Sequence, residues 1–144
     1  MLFTPPGHLR SADAVRARLR ELGAGYDLVD AVEAAPFAAP LELFGRTLAN
    51  RFCTHPMEGW DGTADGRPTA HTLRRWRNFG RSGAALVFGG EAFAVRADGR
   101  ANPNQLCLGT DSERDLAALL AELRGGCAEA GGGEQIVGLQ LTHS

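Results

Sequence analysis

Three short clusters of this 144-residue chain, at residues 55–61, 89–92 and 140–144, contain side chains that could do chemistry. The first contains His55, Glu58 and Asp61, which are metal-ligating residue types. Their spacing matches no recognised metal motif, so we expect no metal. In the third cluster, His143 beside Ser144 resembles half of a nucleophilic pair, but adjacent residues rarely reach the geometry of a catalytic triad. The residue types alone therefore leave the catalytic residue unknown.

The composition excludes several classes of function. All 15 basic residues are arginine, so neither a Schiff-base lysine nor the lysine of a phosphate-binding P-loop can be present. The glycines form no GxGxxG motif between a strand and a helix, which disfavours a Rossmann dinucleotide site. The formal net charge is −2, so we expect no nucleic-acid partner.

The sequence also predicts a cellular location. No apolar run approaches the roughly 20 residues of a membrane helix, and the N-terminus lacks the basic and apolar segments of a secretory signal. The three cysteines are scattered and form no CxxC pair. We therefore expect reduced thiols, no membrane partner and a cytoplasmic protein.

Hydrophobic spacing predicts strands that alternate with helices. Val15, Leu19 and Leu22 recur at helical spacing after Ser11, a typical N-cap residue. The other predicted elements are a hairpin at residues 41–48, strands at 51–55, 84–88 and 135–141, and helices at 69–82 and from 112 onward. This alternation is typical of a parallel sheet, in which functional residues gather at the C-terminal ends of the strands. If the strands pair in sequence order, the three clusters lie side by side.

Structural roles remain open for several of these residues. Trp60 and Trp76 could both be core aromatics, and residues 89–90 could form only a tight turn. Gln140, near the end of a predicted strand, could simply satisfy backbone groups.

Taken together, the motifs of residues 40–144 resemble the start of the old yellow enzyme family, the FMN-dependent NADH:flavin oxidoreductases. Residues 48–51 resemble the family's L-x-N-R entry to the first strand, and His55-Pro56-Met57 resembles the turn that ends it. Residues 83–92 resemble the second strand with its Glu-Ala ending, and residues 96–105 resemble a following loop with G-R-x-x-P-N-Q. Residues 139–143 resemble the L-Q-L-x-H of the third strand.

The resemblance implies a (β/α)₈ barrel, the TIM-barrel fold, with FMN at its C-terminal face. The backbone of Pro56 and Met57 would lie against the flavin ring, and Ala92 would offer a backbone contact. Gln140 would hydrogen-bond the pyrimidine edge of the flavin through its amide, which supplies both a donor and an acceptor. Glu58 stands where family members commonly have Thr or Cys. A carboxylate there would disfavour extra negative charge on the reduced flavin.

The resemblance also implies a substrate pocket and a reaction. Trp60 falls where some members place an aromatic residue that lines the pocket, and His143 would lie in the same pocket. NADH or NADPH would reduce FMN, which would pass hydride to an activated alkene such as an enone or an enoyl thioester. The family's other catalytic and phosphate-binding elements follow the third strand and have no counterpart in these residues.

The length of the chain leads to a prediction about its domain organisation. A complete (β/α)₈ barrel needs about 250 residues. We therefore expect an α/β fold consisting of the first strands and helices of such a barrel, truncated after strand 3. Residues 1–36 would be an extension with one amphipathic helix, and residues 37–144 the N-terminal part of the FMN-binding barrel. The isolated chain is expected to be inactive, since three strands cannot close a barrel.

Two other interpretations remain open. One is a non-enzymatic barrel fragment that pairs with a complementing chain, or with its own copies as a homo-oligomer, through an open sheet edge. The other is an unrelated small α/β domain that binds a phosphorylated ligand. Three neighbouring parallel strands would favour the barrel over the unrelated domain.

Overall fold

The computed structural model of the protein describes residues 3–26 and 28–144. They form two compact units that meet in the sequence between Ala34 and Ala35. Among the described residues, no helix has both the length and the apolar character needed to cross a membrane.

The N-terminal unit contains the predicted amphipathic helix, α1 (Ala12–Glu21). Ser11 caps it, because its hydroxyl oxygen accepts a hydrogen bond from the amide of Ala14 at 3.1 Å. Arg16 extends from this helix to the carbonyl oxygen of Leu28 at 3.0 Å and ties the following segment to it. The predicted helix is thus confirmed.

The second unit opens with a short helix and the predicted hairpin. Helix α2 (Ala35–Ala38) is followed by the antiparallel strands β1 (Leu41–Leu43) and β2 (Arg46–Leu48). Phe44 and Gly45 form the turn with φ angles of 52° and 71°. Two successive positive φ values are what a two-residue type I′ hairpin turn requires.

A three-stranded parallel sheet forms the centre of this unit. The strands are β3 (Cys53–Thr54), β4 (Leu86–Ala94) and β5 (Ile136–Thr142), and they pair in sequence order. Helices α3 (Ala70–Arg81) and α4 (Ser112–Glu129) connect them. The predicted alternation and the predicted strand order are confirmed. Three neighbouring parallel strands favour the barrel over an unrelated small α/β domain.

Two strands differ in length from the prediction. Strand β3 is shorter than residues 51–55, with only two residues paired to β4. Strand β4 continues past Phe88 to Ala94, because a register shift between Phe88 and Ala92 lets the chain resume pairing with β5. The glycine pair at residues 89–90 is therefore not a terminating turn but lies within an irregular strand.

The core lies between the sheet and the two helices. Trp76 is 3% exposed and confirms the expectation of a core aromatic. The helices approach each other closely at two glycines. A Cβ atom on Gly80 would lie 1.9 Å from the carbonyl oxygen of Leu123, and one on Gly126 would lie 2.0 Å from that of Arg77. Only glycine fits at these two positions without moving a helix.

Candidate functional site

The three sequence clusters meet at the C-terminal edge of the parallel sheet. Ala92 of β4 is the cross-strand partner of Gln140 in β5. The amide of Ala92 also donates a hydrogen bond to the carbonyl oxygen of Met57 at 3.2 Å. Met57 belongs to residues 55–61, which we call the β3 loop. The predicted adjacency of the clusters is thus confirmed.

A buried ion cluster joins the β3 loop to strand β4. The carboxylate of Glu91 is fully buried and accepts a hydrogen bond from the amide of Gly59 at 2.6 Å. Arg75 of α3 forms an ion pair with Glu91. The same guanidinium donates to both carboxylate oxygens of Asp61, at 3.0 and 2.7 Å. One cation therefore holds two carboxylates, one from each side of the site.

The two carboxyl groups of this cluster differ in their pKa shifts. Burial raises the pKa of Glu91 above its ordinary value, although the charge of Arg75 acts against the shift. Burial also acts to raise the pKa of Asp61, but the hydrogen bonds and charge of Arg75 outweigh it and lower that pKa. The difference follows from the deeper burial of Glu91.

A second buried side chain joins strands β4 and β5 to the segment that follows β4. Gln105 lies in residues 95–111, which we call the β4 loop. Its amide nitrogen donates to the carbonyl oxygen of Ala92 at 2.8 Å and to the hydroxyl of Thr142 at 3.1 Å. Its amide oxygen accepts from the backbone amide of Ala101 at 2.6 Å. The β4 loop is therefore fixed against the ends of both strands.

Asn102 connects the two loops directly. Its side-chain nitrogen donates to the carbonyl oxygen of Gly59 at 3.1 Å, and its side-chain oxygen accepts from the amide of Asn104 at 2.9 Å. Asn102 and Gln105 lie in the Asn-Pro-Asn-Gln run that carries part of the family resemblance. Sequence reasoning assigned no role to either residue, nor to Arg75. Their contacts join segments that are distant in the sequence, and no pattern of residue types signals such contacts.

The side chains of most predicted site residues face solvent at this edge. Met57 is 73% and Trp60 67% exposed, so Trp60 is not a core aromatic. Glu58 and Gln140 are also exposed, while Pro56 is half-buried. The loop backbone is thus fixed by buried groups while its side chains remain accessible to a ligand.

Ala92 is buried, and both of its backbone groups have partners within the protein. Its amide donates to Met57, and its carbonyl oxygen accepts from Gln105. A carbonyl oxygen has a second lone pair, so it could accept one more hydrogen bond. A ligand contact to the amide of Ala92 would instead have to replace the bond to Met57.

His143 is held at the end of β5 by the β4 loop. A Cβ atom on Gly99 would lie 2.5 Å from the imidazole Cδ2, so the ring packs directly against the glycine. The imidazole Nε2 lies 3.9 Å from a carboxylate oxygen of Asp98, and the amide of Ser144 donates to the carbonyl oxygen of Gly99 at 3.0 Å. None of these contacts joins the imidazole of His143 to the hydroxyl of Ser144.

The acidic and histidine side chains of the β3 loop do not gather into a metal site. Across residues 3–26 and 28–144, no group of three or more His, Cys, Asp or Glu residues is arranged to hold a metal ion. Asp61 is engaged with Arg75. At this edge the protein presents an exposed side-chain amide, a fixed backbone and an aromatic surface.

Comparison with known proteins gives a match in structure only. No family model and no curated protein matches the sequence. Among solved structures, the old yellow enzyme homologue from Zymomonas mobilis is 22% identical with a TM-score of 0.56, over 76% of this chain and 28% of that chain. The old yellow enzyme from Trypanosoma cruzi is 23% identical with a TM-score of 0.55, over 75% and 27%. Morphinone reductase is 23% identical with a TM-score of 0.56, over 77% and 27%.

These matches confirm the resemblance at the level of the fold. About three quarters of this chain shares the α/β fold of old yellow enzyme structures. The chain spans only about 27% of the length of those proteins. The shared fold includes the parallel sheet at whose C-terminal edge the candidate site lies.

Proposed function

We propose that this chain forms one side of the FMN site of a (β/α)₈-barrel oxidoreductase related to the old yellow enzymes. The observation that carries the proposal is the meeting of three sequence-predicted clusters at one end of a parallel sheet. Functional sites of parallel barrels lie at this end, in the loops that follow the strands. The fold shared with old yellow enzyme structures supports the proposal.

The residues at this edge fit a flavin. Gln140 lies at the edge with an exposed side chain, and its side-chain amide makes no hydrogen bond within the described parts of the chain. An amide that has both a free donor and a free acceptor complements the alternating groups of a flavin pyrimidine edge. The fixed backbone at Pro56 and Met57 would lie against the ring, and the carbonyl oxygen of Ala92 could accept one further bond.

The remaining exposed residues would form the substrate side of the site. Trp60 offers an exposed aromatic face, and His143 offers a hydrogen-bonding ring at the end of β5. Glu58 would place a carboxylate near the flavin, in a position that the family commonly gives to Thr or Cys. The chemistry that FMN supplies when bound is hydride transfer from NADH or NADPH to an activated alkene, such as an enone or enoyl thioester. Morphinone reductase has been solved with tetrahydroNAD, which supports a nicotinamide reductant.

The proposed site needs groups beyond these residues. Three strands form an open sheet, and the described residues supply no lysine and no glycine-rich phosphate loop at the strand ends. We expect that the 144-residue chain alone neither retains FMN nor catalyses turnover. The longest natural polypeptide that contains this sequence is therefore the form in which FMN binding should be measured.

Replacement of Gln140 tests the proposal. In that polypeptide, Gln140→Ala should weaken FMN binding by about tenfold or more, because two hydrogen bonds to the pyrimidine edge are lost. Gln135→Ala is the matched control, since Gln135 immediately precedes the opposite end of β5 and donates only to the backbone of Gly80 and Ala84. Dissociation constants come from quenching of flavin fluorescence. Equal affinity of the Gln140→Ala variant and the parent would contradict the assignment.

A further inference from the structure

We propose that Glu91 is a positioning residue for the candidate site and that it fixes the backbone of the β3 loop. The inference rests on the proposed function, because this backbone is the part that would lie against the flavin. Glu91 would act through Gly59 and Arg75 rather than by touching the cofactor. Three observations carry the inference: the close approach of Gly59, the shared cation, and the contrast in burial across the loop.

The backbone of Gly59 docks directly on the charged groups. A Cβ atom on Gly59 would lie 2.5 Å from a guanidinium nitrogen of Arg75, 2.8 Å from a carboxylate oxygen of Asp61 and 3.0 Å from one of Glu91. A Cβ atom there would displace at least one of these charged groups, so the charged cluster and the loop backbone are in direct contact. The hydrogen bond from the amide of Gly59 to Glu91 is charge-assisted and short, at 2.6 Å.

The same cluster holds the end of the loop. Arg75 binds the carboxylate of Asp61 as well as that of Glu91. The carbonyl oxygen of Asp61 accepts from the hydroxyls of Thr69 and Thr72, at 2.5 and 3.1 Å, at the start of α3. Two points of the loop, Gly59 and Asp61, are thus fixed to one helix and one strand.

The buried ion cluster and the loop side chains above it differ sharply in solvent exposure. Glu91 is fully buried, while Met57 and Trp60 are mostly exposed. A loop of this kind has a preorganised backbone and accessible side chains, which is the arrangement that a ligand-binding surface needs. A purely structural ion pair would not require the short contact to the loop amide.

A substitution can distinguish the effect of the charge of Glu91 from the effect of its shape. Glutamine is nearly isosteric and its oxygen could still accept from Gly59, but its amino group would then face the guanidinium of Arg75. Glu91→Gln therefore keeps the volume and removes the charge. Glu58→Gln is the matched control, because it makes the same change at an exposed side chain in the same loop.

Amide hydrogen exchange of the 144-residue chain without FMN tests the inference. In Glu91→Gln, exchange at Gly59 and its neighbours should accelerate by about tenfold or more, with exchange of core amides such as that of Leu119 unchanged. Glu58→Gln should leave the rate at Gly59 as in the parent. Unchanged loop exchange in Glu91→Gln would overturn the inference. A loss of protection throughout the chain would also overturn it, since Glu91 would then support the whole core.

The pH dependence of an NMR signal in the unaltered chain is a second test of the inference, and the two variants serve as its controls. Arg75 and Asp61 are the charged groups that face Glu91. The NMR signal of the Gly59 amide should therefore shift with pH as Glu91 is protonated, and this dependence should persist in Glu58→Gln but vanish in Glu91→Gln. A chemical shift of the Gly59 amide that stays constant on acidification would contradict the inference. Because no step uses FMN, a result here is independent of whether the longer polypeptide binds the cofactor.

Discussion

Gln105 is a buried residue that supports the geometry of the strand ends. Its buried amide binds Ala92, Ala101 and Thr142, and so joins β4, β5 and the β4 loop. When a buried polar group loses its hydrogen-bond partner, the protein loses more folding free energy than the hydrogen bond contributed. At the residue scale, the site therefore consists of exposed groups that could bind a ligand and buried groups that hold them.

Replacement of Gln105 should destabilise the protein. Gln105→Leu leaves the buried carbonyl oxygen of Ala92 without its partner and removes the hydrogen bonds to Ala101 and Thr142, so the free energy of unfolding should fall by roughly 2–4 kcal/mol. The same substitution at exposed Gln140 should change it by less than about 0.5 kcal/mol. Urea denaturation followed by circular dichroism measures both. Similar effects of the two substitutions would show that Gln105 is not a structural support.

The placement of the exposed residues at the strand ends could be predicted, but the buried residues that support them could not. Met57, Glu58 and Gln140 follow from strand ends and motif spacing, which the sequence displays directly. Glu91 and Arg75 form their pair through the crossing of a helix and a strand, and residue spacing alone does not reveal such a contact. Likewise, the structure was needed to show that the side-chain amide of Gln140 makes no hydrogen bond within the described residues.

At the scale of elements, the contact between α3 and α4 sets the position of the sheet ends. Gly80 and Gly126 let the two helix backbones approach closely, and Trp76 packs below them in the core. Arg75 extends from α3 into the ion cluster. A displacement of α3 would therefore reach the β3 loop through Arg75.

Two glycine-to-alanine substitutions distinguish the effect of close helix packing on stability from the effect of helix propensity. Gly80→Ala places a methyl group 1.9 Å from the carbonyl oxygen of Leu123 and should destabilise the protein by about 2–4 kcal/mol. Gly125→Ala meets only the side chain of Arg77, at 3.4 Å, and should stabilise α4 by about 0.5–1 kcal/mol. Thermal unfolding of both variants provides the measurement. A neutral Gly80→Ala would contradict the close approach of the helices.

The alternation of elements was predictable because each helix and strand has its own hydrophobic period. Helix α3 begins at its predicted cap, where Thr69 accepts from the amides of His71 and Thr72. The full length of β4 was not predictable, since Gly89 and Gly90 have the composition of a turn. Pairing with β5 overrides that local preference and continues the strand to Ala94.

At the scale of the whole molecule, the described sheet has an open side next to β5. A cavity of about 730 Å³ lies between α4 and β5, and its lining includes apolar residues of both elements. Under the proposed function, further barrel elements cover this surface. A fragment that pairs with another chain would use the same surface, so the surface alone does not distinguish an enzyme from a non-enzymatic partner. Binding of FMN does distinguish them.

The fold of the molecule was predictable from ordered motifs that are individually short. Their order over residues 40–144 resembles that of the old yellow enzyme family, and the structural matches confirm a shared α/β fold at 22–23% identity. The cofactor and the substrate were less predictable than the fold, because a site at the end of a parallel barrel is built from the ends of several strands.

If these residues form one side of an FMN site, the natural polypeptide that contains them should carry the cofactor. The visible absorbance spectrum of the longest natural polypeptide that contains them, recorded as purified, measures this. We expect a flavin band at one FMN per polypeptide, and no such band for the 144-residue chain by itself. A polypeptide that is colourless and stays colourless after incubation with FMN and removal of the excess would contradict the proposed FMN site.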